Sequence, residues 1–301
     1  MKPLFIAGPG RSGTTALAVY LNEHPEVLVC RERFTGWPRR KITPGLFTFE
    51  RIMDFEDGHE PPHRNIDIRR QKHRQILDRK DFAKLRYVGD KVPQYTNALR
   101  VLSENNPGAR FLITYRPVEE VAESAEHRSK NPNDNWLGGK DGFKVGIKQW
   151  NKALQCTREF IESGVNPNVL IVSYHEFFYR NEEFIPLISR FLGIEFGESV
   201  QRAWRERTRA FKASRRPKAP LSDRHQNLIK KLVDRETEAY ILRRIEKQWE
   251  SADTPAEDRG SPTIHLIREQ TNPDRRVETL QRRIEKLEGD LKEERRHSKS
   301  L

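Results

Sequence analysis

The stretch "GPGRSGTTAL" (residues 8–17) follows the apolar run "LFIA" and leads into a helix-forming segment. Gly8 and Gly13 have the spacing of a G-x-x-x-x-G-K-[ST] phosphate loop, but Thr14 stands where the lysine belongs. A glycine-rich turn between strand and helix aims backbone N–H groups at an anion, and the helix dipole adds to the attraction. Gly10, Ser12, Gly13, Thr14 and Thr15 are therefore candidate anion ligands, with Arg11 the cation inside the loop. An ATP-using loop needs its lysine and a strand-end carboxylate for Mg²⁺. Here the strand-like "RFLITYR" ends in Arg116. Cations and hydroxyls with no place for magnesium suit a donor whose single phosphate sits at the loop. Ser124 follows Arg116 by eight residues. A guanidinium and a hydroxyl two helical turns along can converge on one dianion.

"GPGRSGTTAL" resembles the 5′-phosphosulfate loop of sulfotransferases that use 3′-phosphoadenosine 5′-phosphosulfate (PAPS). "RSGTTALAVYLNEHPEVLVCRE" is similar to the tyrosylprotein and bacterial group of that family, which carries arginine at the Arg11 position. The resemblance extends over about residues 1–196. It implies a P-loop-like parallel sheet flanked by helices, no metal, and PAP (3′-phosphoadenosine 5′-phosphate) as product. It implies that Arg116 and Ser124 grip the 3′-phosphate, joined by Arg128, and that Tyr174 lies near the nucleotide. A solvated helix charge is the alternative for Arg128, and a structural hydrogen bond for Tyr174. A basic stretch nearer the C-terminus should add a contact, from Arg215, Arg216 or Lys218 in "SRRPKAP".

The same resemblance assigns the chemistry. Sulfuryl transfer is an in-line displacement, so catalysis lies in positioning and charge stabilisation. Glu32 in "CRERF" matches the group's base, with Asp90 in reserve; a surface ion pair is the alternative for Glu32. Lys91 in "GDKVPQY" matches the catalytic lysine, with Arg11 sharing the leaving-group role; a plain ion pair with the adjacent aspartate is the alternative for Lys91. The histidine that cytosolic sulfotransferases place after this lysine is missing. His59 and His63 have ligand-like spacing, but nothing completes a metal site. The loops of residues 33–80 are basic and favour an acidic or polyhydroxylated acceptor: a saccharide, glycolipid or natural product. Two other readings remain at this level. One is a nucleotide kinase; the other is a nucleic-acid-binding or scaffold protein using "RAWRERTRAFKASRRPK" (202–218).

The positioning elements are legible as strands alternating with helices, an α/β pattern with a parallel sheet covered on both sides. Apolar runs predict strands at 4–7, in "HPEVLVC", in 86–93, at 109–116 and at 168–174. Helices are expected from Thr14, across "QYTNALRVLSENNPG" and "VEEVAESAEHRSK", over 142–164, in "NEEFIPLISRFLG" up to Gly193, and through 198–249. Residues 31–80 read as loops and short helices. The expected organisation is a domain over 1–250, a linker over 251–263, and a C-terminal helix over 264–301. In that helix Val277, Leu280, Ile284, Leu287 and Leu291 form a short heptad seam. The seam could associate with a second copy or a partner helix, or pack back on the domain.

Of the 301 residues, 33% are charged and the formal net charge is +12, which points to anionic partners or, more simply, to solubility. Two cysteines, Cys30 and Cys156, make no disulfide framework. The opening apolar run of about four residues falls short of the roughly 7–15 of a secretory h-region. No run of about eighteen apolar residues offers a membrane span. A cytoplasmic protein is expected.

Overall fold

Five apolar runs become parallel strands: β1 (Lys2–Ala7), β2 (Val27–Arg31), β3 (Tyr87–Lys91), β4 (Arg110–Tyr115) and β5 (Val169–Ser173). The structure is a computed structural model that describes residues 1–59, 65–131, 141–213 and 220–253, with positions 281, 284, 285 and 289. The strands line up as β2-β3-β1-β4-β5. Alternate residues of β1 face opposite layers. Leu4 and Ile6 join one core cluster with Trp150 and Leu170; Phe5 and Ala7 join another with Phe47, Tyr95 and Phe111. Both faces of the sheet are therefore dry, which is why the strands read as continuous apolar runs.

The helices are α1 (Thr14–Leu21), α2 (Phe49–Met53), α3 (Ile66–Leu77), α4 (Leu99–Asn105), α5 (Val118–Ser129), α6 (Gly142–Glu162), α7 (Tyr174–Tyr179), α8 (Asn181–Leu192), α9 (Glu198–Ala213), α10 (Asp223–Leu232) and α11 (Arg235–Asp253). Gly193 ends α8 in the left-handed conformation, φ 65°, as the sequence predicts. Helix α7 leaves no mark in the sequence, because six residues are too few to show a helical period. Helix α11 continues to Asp253, past the expected boundary at 250. The rest of the linker and most of the heptad seam lie outside the described residues. Ile284 of that seam is buried and belongs to the larger core cluster.

One helix crossing matters for the site. Gly142 and Gly146 on α6 face Ala122 and Ala125 on α5; a Cβ on Gly146 would lie 2.9 Å from the Ala122 Cα. The small residues let the two backbones touch. Trp150, also on α6, donates from Nε1 to the Arg116 carbonyl at 2.8 Å. Helix α6 thereby fixes both the end of β4 and the helix that follows it.

Candidate active site

All the strands are parallel, so their carboxyl ends share one edge. In such sheets ligands bind outside that edge, where the strand order reverses. Here the reversal is at β1, whose neighbours β3 and β4 both come later in the chain. Along this edge stand Glu32 after β2, Lys91 ending β3, the 8–13 loop after β1, Arg116 after β4 and Tyr174 after β5.

The loop after β1 owes its path to two glycines. Gly8 has φ 145°, and a Cβ there would lie 2.2 Å from Thr114 Oγ1. Gly13, φ 89°, is the N-cap of α1 and rests against the Tyr174 ring, where a Cβ would meet Cδ2 at 2.8 Å. The first helical hydrogen bond runs from the Leu17 amide to the Gly13 carbonyl. The amides of Thr14, Thr15 and Ala16 precede it and form the helix's positive end. Thr15 is exposed, Gly10 half-buried and Thr14 buried. Ser12 faces inward: its hydroxyl donates to the Pro9 carbonyl and shares a hydrogen bond with Thr114. In this arrangement Ser12 braces the loop.

Arg11 takes the left-handed conformation, φ 71°. Its Nε donates to Ser124 Oγ at 3.0 Å, and its carbonyl accepts from Arg116 Nη1 at 2.8 Å. The loop and the Arg116–Ser124 pair, 113 residues apart for Arg11 and Ser124, are thus brought together. The Arg116 guanidinium lies 4.1 Å over the Tyr174 ring, which is itself buried between Arg116 and the loop. Arg116 also donates from Nε and Nη2 to the single oxygen Glu120 Oε2, at 2.9 and 2.8 Å. Beyond Ser124, Arg128 and Arg11 line a cavity of about 700 Å³ together with His127, Lys130 and Asn131.

Glu32 is the other left-handed residue, φ 63°. Its amide donates to the Lys91 carbonyl at 2.9 Å, and its Oε1 accepts from Lys91 Nζ at 2.6 Å. Lys91 is buried while Glu32 is partly open to solvent. Asp90 is fully buried. Its oxygens accept from the Arg33 amide at 3.2 Å, the Phe34 amide at 3.0 Å and the Tyr95 hydroxyl at 3.0 Å. Burial raises its carboxyl above the usual range, opposed by these bonds and by Lys91. Asp90 therefore holds the turn behind Glu32, with no surface left to meet an acceptor. Arg33 points away from Glu32, to the carbonyls of Ile52, Arg51 and Asp54 and the carboxylate of Asp57. Arg69 on α3 donates to the Glu32 carbonyl.

Sequence reasoning passed over Glu120, His175, His127 and Lys130. The spacing of Arg116 and Glu120, i and i+4 with opposite charge, was the available signal for one of them. Arg215, Arg216, Lys218 and His63 lie outside the described residues. His59 stacks on Trp37 at 4.2 Å. Among the described residues no three His, Cys, Asp or Glu side chains gather as a metal ligand set.

A family model described as the sulfotransferase family matches residues 3–198. The chain belongs to the sulfotransferase family. Solved structures similar to this sulfotransferase include the sulfotransferase domain from the curacin biosynthetic pathway. It shares 15% identity over 77% of this chain and 97% of its own, with a TM-score of 0.49. A sulfotransferase domain from the Synechococcus PCC 7002 olefin synthase shares 15% over 80% and 94%, at 0.44. Mouse sulfotransferase SULT7A1, solved with PAP, shares 17% over 90% and 89%, at 0.41. No curated protein matches the chain.

Proposed function

We propose that this sulfotransferase moves the sulfuryl group of PAPS to a hydroxyl or amine of a saccharide, glycolipid or natural-product acceptor. The transfer is in-line and uses no metal. The observation that carries this reading is the order of side chains along the carboxyl edge: Glu32, Lys91, the Arg11 loop, Arg116. Three strand spacings separate the first from the last, about 14 Å. A transfer from a nucleotide lying along that edge needs its parts in this order: base, leaving-group cation, 5′-phosphate cradle, 3′-phosphate anchor.

PAPS, when bound, supplies a sulfuryl group on a phosphate leaving group. Glu32 takes the acceptor's proton. Lys91 donates to the oxygen on which charge builds as the bond breaks, aided by Arg11. The amides at the start of α1 and the hydroxyl of Thr15 hold the 5′-phosphate. The 2.6 Å contact between Glu32 and Lys91 holds both groups together at the carboxyl edge. Arg116, Ser124 and Arg128 take the 3′-phosphate, and the cavity beside Arg11 and Arg128 supplies the basic lining such an anion requires.

The acceptor wall is basic. Arg69 reaches the Glu32 backbone, and its helix α3 carries Arg69, Arg70, Lys72 and Arg74 against a single acid, Asp67. That supports a polyhydroxylated or acidic acceptor. No helix among the described residues is long and apolar enough to cross a membrane. The free thiols of Cys30 and Cys156 fit a reducing compartment such as the cytoplasm.

The test is transfer of ³⁵S from labelled PAPS to a panel of saccharides, glycolipids and hydroxylated natural products, with EDTA present. Label on an acceptor hydroxyl supports the reading. Mg²⁺-dependent phosphoryl transfer from ATP to the same panel, without ³⁵S transfer, overturns it in favour of a kinase.

A further inference from the structure

We propose that Glu120 is the positioning residue that presents Arg116 to the 3′-phosphate, an inference that rests on the donor reading above. Arginine carries a long side chain with many accessible rotamers. An anion site built on it is specific only if the guanidinium is held before the anion arrives. Arg116 is held on three sides. Its face lies 4.1 Å over the Tyr174 ring. Nη1 donates to the Arg11 carbonyl at 2.8 Å. Nε and Nη2 donate to Glu120 Oε2 at 2.9 and 2.8 Å.

A guanidinium has five N–H donors. Glu120 takes two and Arg11 one, so among the described residues two remain, one on Nη1 and one on Nη2. The carboxylate thus fixes one edge of the guanidinium and leaves donors on both terminal nitrogens for a phosphate. Its own charge is shared out, because Oε1 accepts from His175 Nε2 at 2.6 Å. Burial opposes the charge, but the bonds from His175 and Arg116 prevail and hold the carboxyl well below the usual range. The pair is nearly dry, with side-chain exposures of 10% and 11%, so its geometry is stiff.

Glu120 also closes a ring of contacts. It sits in the first turn of α5, and Ser124 and Arg128 follow at i+4 and i+8 on the same face. Arg116 ties Glu120 to the Arg11 carbonyl, and Arg11 Nε returns to Ser124 on the same helix. Removing Glu120 frees Arg116 and loosens the link between the loop and α5. A carboxylate that only competed with the phosphate would do the opposite, and its loss would tighten binding.

The experiment is calorimetry on the full chain with PAP and with adenosine 5′-phosphate, which lacks the 3′-phosphate. Wild type, Glu120→Ala and Glu120→Gln are compared. We expect wild type to prefer PAP. In Glu120→Ala the preference should fall by about tenfold to a hundredfold, the scale of one charge-assisted hydrogen bond. Affinity for adenosine 5′-phosphate should stay within about twofold, a pattern that general unfolding would not give. Glu120→Gln keeps an oxygen acceptor and the packing, and should fall between the two; it carries the test if the alanine variant folds poorly. A preference that persists or rises in both variants overturns this inference alone. A wild-type chain with no preference for PAP overturns the donor reading and the inference with it.

Discussion

A residue other than glycine in the left-handed region costs on the order of 1–3 kcal/mol, and such strain gathers at functional sites. Among the described residues only Arg11 and Glu32 are in this state. Each follows a strand, and each is held by backbone and side-chain bonds to a neighbouring strand end or helix. The Glu32 carboxylate should therefore matter to turnover far more than to donor binding. We expect Glu32→Gln to lower kcat for sulfuryl transfer by about 10²–10⁴-fold, the range of a lost general base. The Kd for PAP should stay within about threefold. An unchanged kcat would remove Glu32 from the chemistry. The loop and the Arg116–Ser124 pair could be read in sequence because local spacing defines them. The inward turn of Ser12, the burial of Asp90 and the His175 contact to Glu120 could not. Each depends on which strand end lies beside which, and no local pattern encodes that.

Helix α3 shows how an element far from periodic can still be specified. Only His73 and Leu77 of its twelve residues are buried, so no apolar stripe marks it and the sequence reads as loops and short helices. His73 ties it to the site: Nε2 accepts from the Arg31 amide at 3.3 Å, and Nδ1 donates to the Arg69 carbonyl at 2.8 Å. Burial pushes this imidazole down to about 4. The unfolded chain, near 6.5, then binds a proton that the folded chain refuses. Stability from this group is full above about pH 6.5 and drains away as pH falls towards 4, by up to about 3 kcal/mol. Between pH 7 and pH 5 the urea midpoint of wild type should drop more than that of His73→Gln; equal drops would show that another group carries the acid sensitivity. Helix α6 gives the converse lesson. Its apolar stripe is plain in the sequence, but Gly142 and Gly146 read only as weak helix formers. Their purpose is the close crossing with α5. Gly146→Leu should cost about 2–3 kcal/mol by overpacking, measured by denaturation, and weaken PAP binding by moving Ser124 and Arg128. A stable variant with normal PAP affinity would show that the crossing does not position the site.

Over the whole molecule, the alternation of strands and helices already implied a parallel sheet, and the apolar runs already marked its strands. What the text of the sequence leaves out is their lateral order. That order sets Glu32 and Lys91 on one side of the Arg11 loop and Arg116 on the other. The candidate site residues are spread from position 11 to 174 in the chain, yet they meet along one edge because every strand points the same way. On our proposal, this edge accommodates one nucleotide with phosphates at both ends and needs no metal to do so. Calorimetry with PAP against ATP–Mg²⁺ tests it most directly. PAP should bind with a Kd of about 1 μM or tighter, roughly −8 kcal/mol, in buffer containing EDTA, and ATP–Mg²⁺ far more weakly. Tight binding of ATP–Mg²⁺ with none of PAP would contradict it.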